Sequence, residues 1–233
     1  MPVRKPGGWR PRLLDLFCCA GGAAMGYHRA GFDVVGVDRE PQPNYPFEFV
    51  QGDALVVLRK WIARSVLSDV DAIHASPPCQ WGTAYARRPN HVKPSPNLVA
   101  ETRALLDYTG LPYVIEQPPH GRSCMIDPVQ LCGSSFGLDV RRHRLFESNV
   151  PLVAPPCDHA WQTPRFAPAT NRTNRRRTVE VGVWRIPLDV QQRAMGGCEW
   201  MTREELSQAI PPAYTEHLGR QLLAHVRPVE VAA

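Results

Sequence analysis

Leu13-Leu14-Asp15-Leu16-Phe17-Cys18-Cys19-Ala20-Gly21-Gly22 decides the fold. Its first half is a short apolar run that reads as a buried strand, and its second half is a turn of small residues. Ala23 to Ala30 continues with helical character, and Gly31 supplies a C-terminal stop signal. The same strand-turn-helix sense recurs downstream. Phe32 to Val37 reads as a second strand ending at Asp38, Phe47 to Val50 as a third ahead of Gly52-Asp53, and Val70 to Ala75 as a fourth. Ala54 to Leu67 and Leu98 to Tyr108 carry helical periodicity, and Pro112 to Ile115 is a strand ending at Glu116. This alternation predicts an α/β fold, a mostly parallel sheet with helices on both faces.

The 233 residues, 43% of them hydrophobic, fit one domain of ordinary size. A chain of this length buries roughly 70–75% of its unfolded surface. No apolar run reaches the ~18 residues needed to span a membrane, and the basic start is not followed by a signal-type apolar segment. The expectation is a cytoplasmic protein without a membrane partner. Seven cysteines, at 18, 19, 79, 124, 132, 157 and 198, are odd in number and irregularly spaced, which predicts reduced thiols rather than a disulfide framework. The net charge of +5 is unevenly spread. Arg141, Arg142 and Arg144 cluster, as do Arg172, Arg175, Arg176 and Arg177, while Arg87, Arg88 and Lys93 share a loop. Charge alone does not choose between solvated faces and a phosphate-binding surface.

From about Pro151 to Arg177 the pattern breaks into a proline- and arginine-rich stretch without a period. Regularity returns with Pro187 to Met195 and Glu204 to Ile210, and Pro211-Pro212 introduces a final helix, Tyr214 to Val226. The division that follows is a core over 1–150, a distinct segment over 151–186 and a C-terminal part over 187–233 that returns to the core.

Two places carry chemistry. The turn after the first strand lets backbone approach a ligand and aims a helix amino end at it. Asp38 follows about twenty residues later, where a carboxylate accepts from ribose hydroxyls, and Asp53 is placed to accept from an adenine amino group. Together they suggest an adenosine-containing cofactor, and the lack of G-x-G-x-x-G spacing argues against a dinucleotide. Either acid also reads as an ordinary helix cap or turn residue. The second place is Pro77-Pro78-Cys79-Gln80, a cysteine held by two prolines beyond a buried strand. A lone intracellular cysteine is otherwise a small buried hydrophobe.

Asp15-Leu16-Phe17 with Gly21-Gly22, then Pro77-Pro78-Cys79-Gln80, then Glu116, then Arg142-x-Arg144, in this order, resembles the cytosine-5 DNA methyltransferases. The likeness resumes at Arg193-Ala194-Met195-Gly196 and Ile210-Pro211-Pro212-Ala213-Tyr214, which look like the ninth and tenth motifs of that family. It implies a Rossmann-like S-adenosylmethionine-dependent methyltransferase fold. It also implies transfer of a methyl group from S-adenosyl-L-methionine to carbon 5 of a cytosine flipped out of double-stranded DNA. By the resemblance, Cys79 attacks carbon 6, Pro78 fixes the backbone that presents it, Glu116 holds the ring nitrogen and amino group, and Arg144 the carbonyl oxygen. Arg142 braces the catalytic loop or a phosphate. Phe17 stacks on the adenine, and Cys19, Ala20, Gly21, Gly22, Asp38, Asp53 and Pro77 complete the cofactor site. Gln80, Arg87, Arg88, His91 and Lys93 are candidate DNA contacts on a mobile loop, and Arg172, Arg175 and Arg176 on the segment in the place of the target-recognition domain.

Several residues depart from the family pattern. Cys19 stands where glycine is usual, Gln117 where an asparagine helps anchor the catalytic loop, and Val140 where a glutamine precedes the arginine pair. The 151–186 segment is short for a recognition domain, which predicts a short or relaxed target site and resembles compact phage and prophage members. Cys157 and His159 form a Cys-x-His pair with Cys132 upstream, but without a second well-spaced pair the sequence assigns no metal. The resemblance implies a monomer on DNA in a bacterial or phage-infected cell, and leaves a cognate restriction nuclease open. The alternatives are a tRNA cytosine-5 methyltransferase and a catalytically silent DNA-binding relative.

Overall fold

The computed structural model describes residues 10–79, 96–160, 162–163 and 176–226. The N-terminal part runs β1 (Arg12–Leu16), α1 (Gly22–Ala30), β2 (Asp33–Asp38), β3 (Glu48–Gln51), α2 (Ala54–Ala63), β4 (Ala72–Ala75), α3 (Val99–Thr109) and β5 (Tyr113–Gln117). It continues through β6 (Val129–Leu131) and β7 (Arg144–Ser148). These seven strands form one sheet in the order β3-β2-β1-β4-β5-β7-β6. The first five are parallel, and β7 is antiparallel to both of its neighbours. Two short strands, β8 (Gln162–Thr163) and β9 (Arg176–Arg177), pair separately in parallel. The chain then forms α4 (Leu188–Ala194), α5 (Arg203–Gln208) and α6 (Pro212–Leu222). The expected mostly parallel sheet, covered on both faces, is what forms.

The strands are apolar on both sides because both sides are buried, as parallel sheets require. Leu13, Val34, Ala72 and Val114 face Tyr27 of α1 and Tyr214, Leu218 and Leu222 of α6. Leu14, Leu16, Val35, Val37, Ile73 and Ile115 face Leu58 of α2 and Val99 and Leu106 of α3. Helices α1 and α6 meet through Gly26. A Cβ there would lie 2.0 Å from Thr215 Oγ1 and 2.1 Å from the Pro212 carbonyl oxygen, so the close approach admits only glycine. Thr215 Oγ1 donates to the Ala23 carbonyl at 2.8 Å across the same contact.

Several expected boundaries move, and the final helix, expected over Tyr214–Val226, runs Pro212–Leu222 with a 3₁₀ turn, Leu223–His225, after it. The helix expected over Ala54–Leu67 stops at Ala63, because Ser65 turns left-handed (φ 54°) and Val66–Asp69 continues as a separate 3₁₀ turn. Strand β5 runs on through Glu116 and Gln117 because β7 pairs with it there, Glu116 opposite Phe146 and Gln117 opposite Leu145. Among the described residues no helix is long and apolar enough to cross a membrane.

Candidate active site

The parallel strands all deliver their carboxyl ends to one edge of the sheet, and β7, running the other way, brings its amino end to the same edge. This is where open α/β sheets bind ligands, beside the point where strand order reverses between β1 and β4. The turn after β1, Asp38 at the end of β2, Asp53 beyond β3, Cys79 beyond β4, Glu116 near the end of β5 and Arg144 at the start of β7 all gather there.

The β1–α1 turn is built from three left-handed residues in alternation, Phe17 (φ 59°), Cys19 (φ 44°) and Gly21 (φ 82°). Asp38 fixes it from the neighbouring strand, with Oδ2 accepting from the Cys19 N–H at 3.0 Å and Oδ1 from the Glu40 N–H at 3.0 Å. The C-terminal part holds it from the other side, where Trp200 Nε1 donates to the Ala20 carbonyl at 2.8 Å. Burial, then Asp38, Asp15, Glu116 and Cys79, push the Cys19 thiol up to about 12, so it stays protonated. The turn thus lies within electrostatic reach of Glu116 and Cys79. Asp53 serves as the N-cap of α2, its Oδ1 accepting from Leu55 and Val56 N–H at 3.1 and 3.0 Å. The capping role is therefore realised, and only its remaining acceptor capacity is available to a cofactor.

The segment carrying Cys79 is tied down twice. Gln117 Nε2 donates to the buried Pro77 carbonyl at 2.7 Å. Where the family pattern has an asparagine, the longer glutamine side chain reaches from β5 to the Pro-Pro segment. His120, in the 3₁₀ turn Pro119–Cys124, places Nε2 3.0 Å from the Cys79 carbonyl oxygen. Sequence reasoning missed His120, because nothing in the local pattern shows that this turn folds back over the end of β4.

Glu116 is buried, with Arg144 Nε 2.9 Å from its Oε1. The contact is an ion pair without the alignment of a hydrogen bond, and Oε1 has no hydrogen-bonding partner among the described residues. Burial pushes the Glu116 carboxyl above its usual range, while Arg144, Arg142 and His120 pull it back. Burial likewise raises the Cys79 thiol, and the Glu116 charge adds to it, whereas Arg144 and Arg142 favour the thiolate. Cys79, Glu116 and Arg144 are thus one electrostatic unit.

Among the described residues Arg142 bonds to the C-terminal part. Its Nε donates to the Ala209 carbonyl at 2.7 Å and its Nη2 to the Ser207 carbonyl at 2.6 Å. It closes the C-terminal end of α5, and among the described residues it makes no hydrogen bond to the Pro77–Cys79 segment. Val140 is buried in an apolar cluster with Ala20, Met195 and Met201, so its departure from the polar pattern is compensated by packing. Of the candidate DNA contacts, Gln80, Arg87, Arg88, His91, Lys93, Arg172 and Arg175 lie outside the described residues, and Arg176 lies on β9.

No protein-family model matches the chain, and no curated protein does. Solved structures do. EhMeth, a methyltransferase of Entamoeba histolytica, superposes with a TM-score of 0.60 at 11% identity, covering 94% of this chain and 100% of that one. The Dnmt2 methyltransferase of S. pombe gives 0.59 at 12% identity, covering 93% and 99%. A candidate DNA modification methyltransferase encoded within an E. coli prophage is 22% identical over 58% of this chain. That match covers 45% of the prophage protein, less than half its length, with a TM-score of 0.43. At these identities the likeness speaks to architecture: the chain has the Rossmann-like α/β fold of the methyltransferases.

Proposed function

We propose that the chain is an S-adenosylmethionine-dependent methyltransferase that methylates carbon 5 of cytosine in double-stranded DNA through a covalent Cys79 adduct. The observation that carries this reading is the convergence of Cys79 with the buried Glu116–Arg144 pair at the sheet edge that also holds the β1–α1 turn and Asp38. The residues suit the cofactor. Phe17 offers a partly exposed ring for an adenine, Asp38 and Asp53 offer carboxylates for ribose and amino group, and the turn presents a helix amino end.

Carbon 5 of cytosine is a poor nucleophile until a thiolate adds to carbon 6. In this reading Cys79 Sγ forms that bond, and Glu116, protonated, donates to the ring nitrogen and so stabilises the electron-rich enamine. Arg144 holds the carbonyl oxygen and keeps the base in register with Cys79. S-adenosylmethionine supplies the electrophilic methyl group. Loss of the carbon-5 proton then expels Cys79 as the ring double bond re-forms. A stacked cytosine exposes neither reacting atom, so the base is extruded from the duplex. Residues 151–186 are read as a reduced target-recognition segment, consistent with a short or relaxed site, and the protein as a cytoplasmic monomer acting on duplex DNA.

The test is incubation with S-adenosylmethionine and duplex DNA containing 5-fluorocytosine. Fluorine cannot depart as a proton does, so the adduct accumulates and is visible as a denaturation-resistant complex. Trapping on tRNA but on no DNA overturns the DNA substrate, and an adduct that persists in Cys79→Ala overturns the nucleophile.

A further inference from the structure

Residues 132 and 143 bracket strand β7's approach, and residues 157 and 159 lie on the extended stretch that leaves β7. The fold brings these four distant positions together. Cys132 Sγ, one nitrogen of His143, Cys157 Sγ and one nitrogen of His159 all lie within 4.8 Å of one another. Individual separations are 3.2 Å for Cys132 Sγ to His159 Nε2, 3.3 Å for His143 Nε2 to Cys157 Sγ and 3.1 Å for Cys157 Sγ to His159 Nε2. A tetrahedral zinc ion with Zn–S of about 2.3 Å and Zn–N of about 2.0–2.1 Å has ligand-to-ligand edges of about 3.3–3.8 Å. The observed separations are close to such a set.

We propose that Cys132, His143, Cys157 and His159 form a structural zinc site. Four protein ligands leave no open position, and two thiolates with two neutral imidazoles balance the charge of the ion, the composition of closed structural sites. A polar neighbour stands where such sites need one. The buried Ser134 directs its hydroxyl to Cys132 Sγ at 3.2 Å and lies 3.8 Å from Cys157 Sγ, so its one proton is within reach of either sulfur. The Cys132 thiol donates to the Arg141 carbonyl at 2.7 Å, and its proton is one of the two that metal binding displaces, the other coming from Cys157.

The site answers a packing need. Leu152 and Ala154 rest against the core, but from Pro155 to Ala160 the side chains are exposed or half-buried and none belongs to the buried apolar clusters. An ion there holds the stretch where apolar burial does not. Because His143 sits between Arg142 and Arg144, the same ion anchors the backbone from which both arginines project. The binding of metal is independent of the proposed methyl transfer; only this consequence for the arginines rests on that reading.

The experiment uses the whole chain with metal alone. Metal-free, reduced protein titrated with Co²⁺ is expected to take up one ion per chain. Intense visible bands of tetrahedral cobalt and thiolate charge transfer should appear and be erased by Zn²⁺. Cys157→Ser, at an exposed position that the apo fold tolerates, abolishes the bands, and Cys124→Ser leaves them. Ser134→Ala weakens Zn²⁺ affinity by about 10–100-fold. Saturable binding unchanged in Cys157→Ser, weak octahedral bands, or no binding by fully reduced wild-type protein each overturns the site. None of these readouts needs DNA or S-adenosylmethionine, so failure of methyl transfer and failure of the metal site are separately visible.

Discussion

Burial raises the Cys79 thiol most, the Glu116 charge raises it further and Arg144 lowers it, so the charge on Glu116 tunes how much thiolate is present. Protonating Glu116 therefore does two things at once: it creates the donor for the base and leaves the arginines to favour the nucleophile. Glu116→Gln separates the two effects. Removing the negative charge lowers the Cys79 thiol, so alkylation of Cys79 by iodoacetamide at pH 8 is expected to run faster than in the wild type. Methyl transfer is expected to fall by about 10²–10⁴-fold, because the general acid is gone. Equal or slower alkylation in the variant would falsify the coupling. Cys19 offers a second residue-scale prediction. Its φ of 44° is left-handed, a region that costs a side chain about 1–2 kcal/mol, and glycine escapes that cost while gaining freedom in the unfolded chain. Cys19→Gly is expected to stabilise the fold by about 0.5–1 kcal/mol, read as a higher urea midpoint at unchanged slope.

At the scale of elements, the contact of α1 with α6 is what joins the two ends of the described chain. Gly22, Gly26 and Ala30 fall four residues apart and so share one helix face, and Gly26 meets backbone as well as side chain of α6. Gly26→Ala drives a methyl group into the Pro212 carbonyl, which cannot rotate away. The expected cost is about 3 kcal/mol in chemical denaturation, at the upper end for overpacking. Unchanged stability would mean that α6 docks elsewhere. The strands and helices on this scaffold are legible in sequence because each is a run of apolar residues with a period, and Cys79, Glu116 and Arg144 are legible because each ends or begins such a run. What is not legible depends on contacts between elements. Gln117 reaching Pro77, His120 folding back to Cys79, and Arg142 turning to the end of α5 are each set by tertiary geometry rather than local pattern. His143 shows the same thing most sharply. In sequence it is a residue between two arginines, and only the pairing of β6 with β7 brings it to Cys132, and the path of the 151–160 stretch to Cys157 and His159.

At the scale of the whole molecule, two titratable groups sit at the centre of the sheet and make stability depend on pH in opposite senses. Asp15 on β1 and His74 on β4 are register partners, both fully buried. Neither Asp15 oxygen has a hydrogen-bonding partner among the described residues, whereas His74 meets Tyr27 Oη at 3.0 Å and Ser76 Oγ at 2.9 Å. Burial, with Asp38 adding to it, holds the folded Asp15 carboxyl well above its unfolded value of 3.8. Burial lowers folded His74 to about 3, against 6.5 unfolded. For Asp15 the stability is fully present below 3.8 and is lost as pH rises, because only the unfolded chain ionises readily. For His74 it is present above 6.5 and is lost as pH falls toward 3, because only the unfolded chain takes up the proton. Between 3.8 and 6.5 the two slopes oppose and largely cancel. Above 6.5 His74 contributes no slope, and cysteine ionisation does not begin until pH approaches its ordinary value of 9.0, so the window between is left to Asp15 and, in the same sense, to Glu116, whose carboxyl burial also raises. There, stability is expected to fall by about 1 kcal/mol per pH unit until the folded Asp15 itself ionises. Asp15→Asn keeps the shape and removes the titration. Its unfolding free energy, measured by urea denaturation at intervals across this window, is expected to fall less steeply than that of the wild type and to exceed it increasingly as pH rises. A wild-type decline that survives unchanged in Asp15→Asn would assign the slope to another group and leave the Asp15 carboxylate ionised in the core.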